Sequence, residues 1–150
     1  PRLLGKDYPP SVLVTAVPII ARARPELLAS GRYWLAEDAS GRVVGAGGWS
    51  GQSPTPSDRT GGAGGRYAGW AHVRHVATDP DALRRGVGRT LIGHILAEAQ
   101  RAGFQQMECL STLMAVPFYA AMGFREIGPV AVSLRPGIVF PAVRMIRDLP

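Results

Sequence analysis

The chain has 150 residues, of which 46% are hydrophobic and 19% are charged, as in one soluble globular domain. It has no run of about 18 apolar residues, which excludes a membrane-spanning helix, and its single cysteine, Cys109, excludes an internal disulfide and a four-cysteine zinc site. The net charge of +6 suggests an acidic partner such as nucleic acid or a phosphate-bearing small molecule, although an arginine-rich composition explains it equally well.

The N-terminal third predicts short helices followed by a hairpin. Ser11–Ala23 is apolar with helical tendencies, and Pro18 should break or kink a helix there. A short helix is expected from Pro25, because proline is tolerated at the first helical position. The hairpin consists of the predicted strands Tyr33–Glu37 and Val43–Trp49 around a polar turn. No basic and apolar leader precedes these elements, so we expect a cytoplasmic protein.

The middle of the chain predicts a loop, a strand and the longest helix. Ser50–Gly65 is rich in Gly, Ser and Pro and is expected to be a mobile loop. Trp70–Thr78 is a predicted strand, and Gly88–Ala102 is a predicted helix that Gly103 ends. The apolar residues of this helix recur at one-turn spacing: Leu91, Ile92, Ile95, Leu96 and Ala99.

The C-terminal third predicts a strand at Met107–Leu110, a helix at Ala115–Met122 and a closing hairpin. The hairpin strands are Val130–Leu134 and Ile138–Ile146. Helices and strands that alternate in this way on a mixed sheet indicate an α/β or α+β domain. We find no internal repeat and no domain linker, so the whole chain is expected to form one domain.

The densest chemical signal is a Gly-x-Gly, Gly86 and Gly88, between a strand and the long helix. Free N–H groups and the positive dipole end at the start of a helix form an anion site, which suits a pyrophosphate. Arginines beside it add charge-assisted hydrogen bonds to phosphate. A tight turn that needs glycine for its backbone conformation is the structural alternative. The spacing matches neither the dinucleotide G-x-G-x-x-G nor a P-loop.

Two motifs together resemble the GNAT superfamily of N-acetyltransferases. The segment Arg84-Arg85-Gly86-Val87-Gly88-Arg89, after a strand that ends in Thr78-Asp79-Pro80, is similar to its acetyl-CoA motif. Ala115-Val116-Pro117-Phe118-Tyr119 followed by Met122-Gly123-Phe124 is similar to its second signature, a helix with a tyrosine and then a Gly-Phe. The resemblance covers about residues 25–148 and implies a mixed, mostly antiparallel central sheet flanked by helices.

The resemblance also implies a set of site residues. The backbone of Val76, Ala77 and Thr78 would bind the pantetheine arm and the acetyl carbonyl. The pyrophosphate would be held by six consecutive backbone amides, those of Arg84, Arg85, Gly86, Val87, Gly88 and Arg89. Tyr119 would protonate the departing thiolate. No metal is required for this reaction.

Three positions depart from the family pattern. Leu83 stands where the family usually has Gln or Arg, which matters little if only its backbone is used. Thr112 stands where the family often has an Asn that contacts the cofactor. The family's first strand and first helix are not readable in residues 1–23, which is consistent with a truncated start.

Three candidates remain for the base that takes a proton from the amine. His72 aligns with a position where relatives often carry a glutamate base, and a neutral imidazole can do that work at physiological pH. His75 and solvent water are the alternatives. Strand alternation predicts His72, Arg74, Val76 and Thr78 on one face and His75 on the other.

The sequence therefore predicts an N-acetyltransferase that transfers an acetyl group from acetyl-CoA to a primary amine by direct attack in a ternary complex. The alternatives are a non-catalytic acyl-CoA sensor and a basic nucleic-acid-binding module. Arg84, Arg85 and Arg89 account for half of the net charge of +6, so we expect no nucleic-acid partner. We expect no membrane partner either, and the final strands suggest a homodimer. No motif identifies the amine.

Overall fold

The computed structural model describes residues 4–51 and 69–150. Its helices are α1 at Pro10–Thr15, α2 at Val17–Ile20, α3 at Pro25–Ala29, α4 at Val87–Arg101 and α5 at Val116–Ala121. Its strands are β1 at Tyr33–Glu37, β2 at Val43–Ser50, β3 at Trp70–Thr78, β4 at Gln106–Ser111, β5 at Arg125–Arg135 and β6 at Ile138–Asp148. Within these residues no helix is long and apolar enough to cross a membrane.

The strands form one six-stranded sheet in the order β1-β2-β3-β4-β6-β5. β3 and β4 are parallel, whereas every other pair of neighbours is antiparallel. A parallel pair needs a crossover connection, and α4 provides it. The predicted fold class, a mixed and mostly antiparallel sheet flanked by helices, is confirmed.

The main core lies between the sheet and α4, and the apolar stripe predicted for this helix is its buried face. All five residues of the stripe are buried: Leu91, Ile92, Ile95, Leu96 and Ala99. Each large side chain contributes about 1.5–3 kcal/mol on burial. Gly45 lets the start of α4 approach β2, because a Cβ there would lie 2.6 Å from Cγ1 of Val87.

A second, smaller cluster covers the opposite face of the sheet with the N-terminal residues. Tyr8 stacks on Phe140 of β6 with ring centroids 4.8 Å apart. The Tyr8 hydroxyl donates to the Pro141 carbonyl at 2.8 Å and accepts from the Leu113 amide at 3.0 Å. These contacts attach the N-terminal segment to the far end of the chain.

Most element boundaries agree with the predictions, and the differences have local causes. The apolar N-terminal stretch forms two short helices, α1 and α2, and Pro18 lies in the first turn of α2. β5 begins at Arg125 because the segment before Val130, which lacks alternating apolar residues, still pairs with β6 across a bulge at Glu126 and Gly128. Of the predicted loop, residues 52–65 lie outside the described residues.

Candidate active site

β3 and β4 pair over a short stretch and then separate. They are joined at Trp70 with Gln106, Ala71 with Met107 and His72 with Glu108. Beyond these pairs β3 continues to Thr78 and stays bonded to β2, while β4 continues to Ser111 and stays bonded to β6. We call the space between the two strands the wedge and the His72–Glu108 pair its vertex.

The β3 side of the wedge presents unpaired strand edge. Val76, Ala77 and Thr78 lie beyond the vertex, where no strand of the described residues pairs with β3 on that side. A sheet edge of this kind binds an extended ligand through main-chain hydrogen bonds. The three residues predicted to bind a pantetheine arm therefore lie on an edge with free capacity for such bonds.

At the open end of the wedge, β3 leads into the start of α4. Gly86 is the N-cap with a φ of +81°, and Arg84 also has a positive φ of +62°. The first amides of α4 have no acceptor within the helix, so they and the helix dipole favour an anion. The side chains of Arg84, Arg85 and Arg89 are exposed around this turn. Gly88 packs closely, because a Cβ there would lie 3.1 Å from Cζ of Phe118.

The vertex is held by ionisable side chains on one face of the sheet. His72 Nδ1 lies 3.0 Å from Glu108 Oε1, and Glu108 Oε2 lies 3.1 Å from Arg144 Nε in β6. His72 and Glu108 are only 1% and 2% exposed. Because a carboxylate accepts the hydrogen bond, the His72 proton lies on Nδ1 when the ring is neutral, and Nε2 carries the lone pair.

A second pair lies at the vertex on the opposite face of the sheet. Cys109 follows Glu108 in β4 and therefore faces the other way, and the Tyr119 hydroxyl donates a hydrogen bond to its Sγ. Burial raises the pKa of Tyr119 well above its ordinary value and the pKa of Cys109 to about 12. Tyr119 is thus a neutral phenol and Cys109 a neutral, buried thiol.

The predicted strand alternation is wrong beyond Arg74. Between the Gly48–Arg74 and Ala46–Ala77 pairs, two residues of β3, His75 and Val76, face one residue of β2, and His75 has a positive φ of +50°. This bulge adds one residue to β3 and reverses the faces that follow.

The bulge moves His75 to the face of His72 and moves Val76 away from it. His75 forms a hydrogen bond with the backbone of Ile20 in α2, whereas Val76 packs against the core under α4. Thr78 also faces α4, since its Oγ1 lies 3.7 Å from the Cβ position of Gly88. Burial lowers the pKa of His75, and the charges of Arg74 and Arg24 lower it further.

Thr112 follows β4 on the other side of the wedge. Its carbonyl accepts hydrogen bonds from the Ser111 hydroxyl at 2.8 Å and the Ala115 amide at 3.1 Å. The predicted site residues thus divide into three places. The β3 edge and α4 start hold Val76–Thr78 and Arg84–Arg89, the vertex holds His72 and Tyr119, and the β4 side holds Thr112.

A pocket of about 490 Å³ lies at the end of β2, beside α3. Its lining includes Trp49 from the end of β2 and three arginines, Arg24, Arg32 and Arg74. No local pattern in the sequence connects these arginines, because they lie in three separate parts of the chain. Clustering of arginines around one strand end is visible only once the sheet is assembled.

Comparison with known proteins identifies similar domains. A family model described as an acetyltransferase (GNAT) domain matches residues 29–126. The comparison with curated proteins finds no match.

Three solved structures have the same fold. The phosphinothricin acetyltransferase (Pat) from Sinorhizobium meliloti in complex with AcCoA is 20% identical at a TM-score of 0.62, and the match covers 82% of this chain and 64% of that one. The ribosomal-protein-alanine N-acetyltransferase from Brucella melitensis is 18% identical at a TM-score of 0.59, and the match covers 81% of this chain and 72% of that one. A GNAT-family acetyltransferase from Staphylococcus aureus is 17% identical at a TM-score of 0.59, and the match covers 83% of this chain and 72% of that one.

Proposed function

This chain belongs to the GNAT acetyltransferase family, and we propose that it transfers an acetyl group from acetyl-CoA to a primary amine by direct attack in a ternary complex. Family membership supports acyl transfer from acetyl-CoA as the general reaction. The observation that carries the proposal is the wedge, in which β3 leaves β4 after the His72–Glu108 pair and runs on to the start of α4.

The residues along the wedge fit acetyl-CoA, which supplies the acetyl group as an activated thioester. The β3 edge at Val76–Thr78 binds the pantetheine arm as an added strand would, and Thr112 contacts the cofactor from the β4 side. The amides from Arg84 to Arg89 hold the pyrophosphate, with positive side chains around them. Support comes from the unpaired edge, the left-handed turn at Gly86 and the exposed arginines.

His72 is the proposed base that accepts the proton of the amine. The Glu108 carboxylate holds the imidazole with its proton on Nδ1, so that Nε2 can accept another. Because the ring is buried, the proton reaches it through water. His75, which lies on the same face, and solvent water without a protein base are the competing assignments.

Tyr119 is the proposed acid that gives a proton to the thiolate leaving group. A thiolate resembles ionised cysteine, with a pKa near 8.5, and a phenol near 10 can hydrogen-bond to it or protonate it. The raised pKa of Tyr119 keeps the phenol protonated across the physiological range. Its hydroxyl lies at Cys109, the first residue of β4 beyond the vertex.

One experiment separates the enzyme from its alternatives: the chain is mixed with acetyl-CoA and a panel of amines, and thermal shift and free thiol are measured together. We expect a thermal shift with acetyl-CoA alone and thiol release when an accepted amine is added. A shift without release for any amine would indicate an acyl-CoA sensor. No shift, with salt-sensitive binding of DNA or RNA, would contradict both readings.

A matched pair of variants tests where acetyl-CoA binds. Replacing Arg84, Arg85 and Arg89 with Gln should reduce the thermal shift, because positive charge is removed around the proposed pyrophosphate site. Replacing Arg101 with Gln should leave it unchanged, since Arg101 is exposed at the other end of α4 and pairs with Glu98. Equal shifts for both variants would contradict the placement.

A further inference from the structure

The pocket beside α3 is bordered by positive charge. Its lining includes Arg24 at the start of α3, Arg32 before β1 and Arg74 in β3, and Glu26 is the one carboxylate among its described lining residues. We call it the basic pocket. Its volume of about 490 Å³ lies within the range of small-molecule sites.

Two of these arginines differ from other arginines on the surface. Within the described ranges, 4–51 and 69–150, neither Arg24 nor Arg32 has a carboxylate oxygen within 4 Å. Arg42, by comparison, pairs with Asp38 and Asp79. The positive charge at Arg24 and Arg32 is therefore not neutralised within the described chain.

Arg32 and Arg74 are held in place by contacts with neighbouring side chains. The Arg32 guanidinium lies 4.3 Å from the ring centroid of Trp49, a cation–π contact that leaves its edge donors available. Arg74 is 9% exposed, and its Nη1 donates to the Ser50 hydroxyl at 3.1 Å. Fixed guanidinium groups bind carboxylate and phosphate with less loss of entropy than mobile ones.

The basic pocket is separate from the proposed pyrophosphate site. Gly45 of β2 contacts the start of α4 near Val87, whereas Ser50 of β2 lines the pocket. Ser50 lies five residues after Gly45 along the strand, which is roughly 17 Å at about 3.4 Å per residue. Arg74, which lines the pocket, lies on the same face of β3 as His72 and directly before the bulge.

We propose that the basic pocket binds an anionic group of the acceptor, a carboxylate or a phosphorus oxyacid, so that the substrate is an amine that carries an acid, such as an amino acid. This inference rests on the proposed acetyl transfer. Polyamines and other polycationic amines are disfavoured, because the arginines repel them. Burial is the largest cause of the lowered pKa of His75, and the charges of Arg74 and Arg24 lower that pKa further, which agrees with a positive potential beside the pocket.

The test compares amines that differ only in the acid, such as glycine with glycinamide, and aminomethylphosphonate with its diethyl ester. With the unmodified chain we expect kcat/KM to favour the acid at least tenfold, because a charge-assisted hydrogen bond is roughly twice as strong as a neutral one. Arg32→Gln should raise KM for the acid at least tenfold while kcat and KM for acetyl-CoA stay unchanged. Arg101→Gln is the matched control and should change none of these values.

A binding measurement separates the failure of this inference from the failure of acetyl transfer. Calorimetry with N-acetylglycine and N-acetylglycinamide, each with CoA present, should show tighter binding of the acid and loss of that preference in Arg32→Gln. If no amine releases thiol but this pattern holds, the anion site stands and the proposed transfer fails.

Two results would overturn the inference while leaving acetyl transfer intact. One is thiol release that is equal or faster with the neutral amines. The other is an Arg32→Gln variant whose KM rises for acetyl-CoA instead of the acceptor, which would assign the pocket to a cofactor phosphate. If Arg32→Gln does not fold, Arg24→Gln replaces it, because Arg24 is exposed and lines the same pocket.

Discussion

The vertex of the wedge is built from side chains, whereas its open end is built from backbone. At the vertex, His72 and Glu108 pair on one face and Tyr119 and Cys109 on the other, all buried. At the open end, the β3 edge and the start of α4 present main-chain groups around Gly86. Buried charges fix a geometry because separating them is costly, while free main-chain groups leave room for a ligand.

The contrast explains how β3 and β4 can be paired at the vertex and separated beyond it. Glu108 contacts His72 of β3 and Arg144 of β6, so one carboxylate ties three adjacent strands together at the point of divergence. Beyond it, the bulge at His75 turns β3 without breaking its bonds to β2. The rigid end therefore positions the proposed proton-transfer groups, and the open end positions the proposed cofactor contacts.

The largest expected effect is on catalysis at the vertex. Tyr119→Phe should lower kcat by roughly 10²–10⁴-fold, because it removes the proposed proton donor while keeping the ring packed between Phe118 and Phe124. Thiol release measures kcat, and thermal shift with acetyl-CoA checks that binding persists. Since the pKa of Tyr119 is raised, any alkaline limb of the rate profile that it causes should lie above pH 10. A fully active variant would remove Tyr119 from the mechanism.

Glu108→Ala should have the next largest effect, on stability. It removes the carboxylate that His72 and Arg144 both contact, and breaking a buried ion pair typically costs about 3–5 kcal/mol. Denaturant unfolding measures the loss. Glu126→Ala is the control, because Glu126 is exposed in β5 and should change stability by less than about 0.5 kcal/mol. If the two variants lose the same stability, the network does not hold the vertex.

His72→Gln should reduce kcat/KM by about 10²-fold and remove the acidic limb of the pH–rate profile. Glutamine can keep the contact with Glu108 but cannot act as a base. The pH–rate profile makes the measurement, with His75→Gln as its counterpart. If His75 is the base instead, the limb lies at lower pH than an ordinary histidine gives, because burial and Arg74 lower its pKa. A profile that neither variant changes would favour water as the base.

The elements that the sequence predicts well are those with local patterns. The five apolar residues of α4 repeat at helical spacing, and the structure buries all of them. The predicted strands are likewise set by short apolar runs between turn residues, so most elements are found within a few residues of their predicted bounds.

The features that the sequence does not predict depend on contacts between distant residues. The bulge at His75 has no signal in residue type, because an ordinary alternating strand would have the same letters. Glu108 meets His72 and Arg144 only after three strands align, and the arginines of the basic pocket come together in the same way. Burial of His72 follows from this packing too.

The smallest expected effect tests the open end, where backbone conformation alone is at stake. Gly86→Ala should lower the free energy of unfolding or of acetyl-CoA binding by about 1–2 kcal/mol, because alanine is strained at a φ of +81°. The cause is the backbone conformation alone, since no atom lies within 4 Å of the added Cβ. Gly93→Ala in the middle of α4 also has open space around its Cβ but lies in regular helix, so it should gain up to about 1 kcal/mol. Denaturant unfolding and acetyl-CoA titration of both variants measure these opposite signs. If Gly86→Ala matches the unmodified chain in both measurements, the left-handed turn is not what orients the first amides of α4, and the distinction between a side-chain vertex and a backbone-defined open end fails.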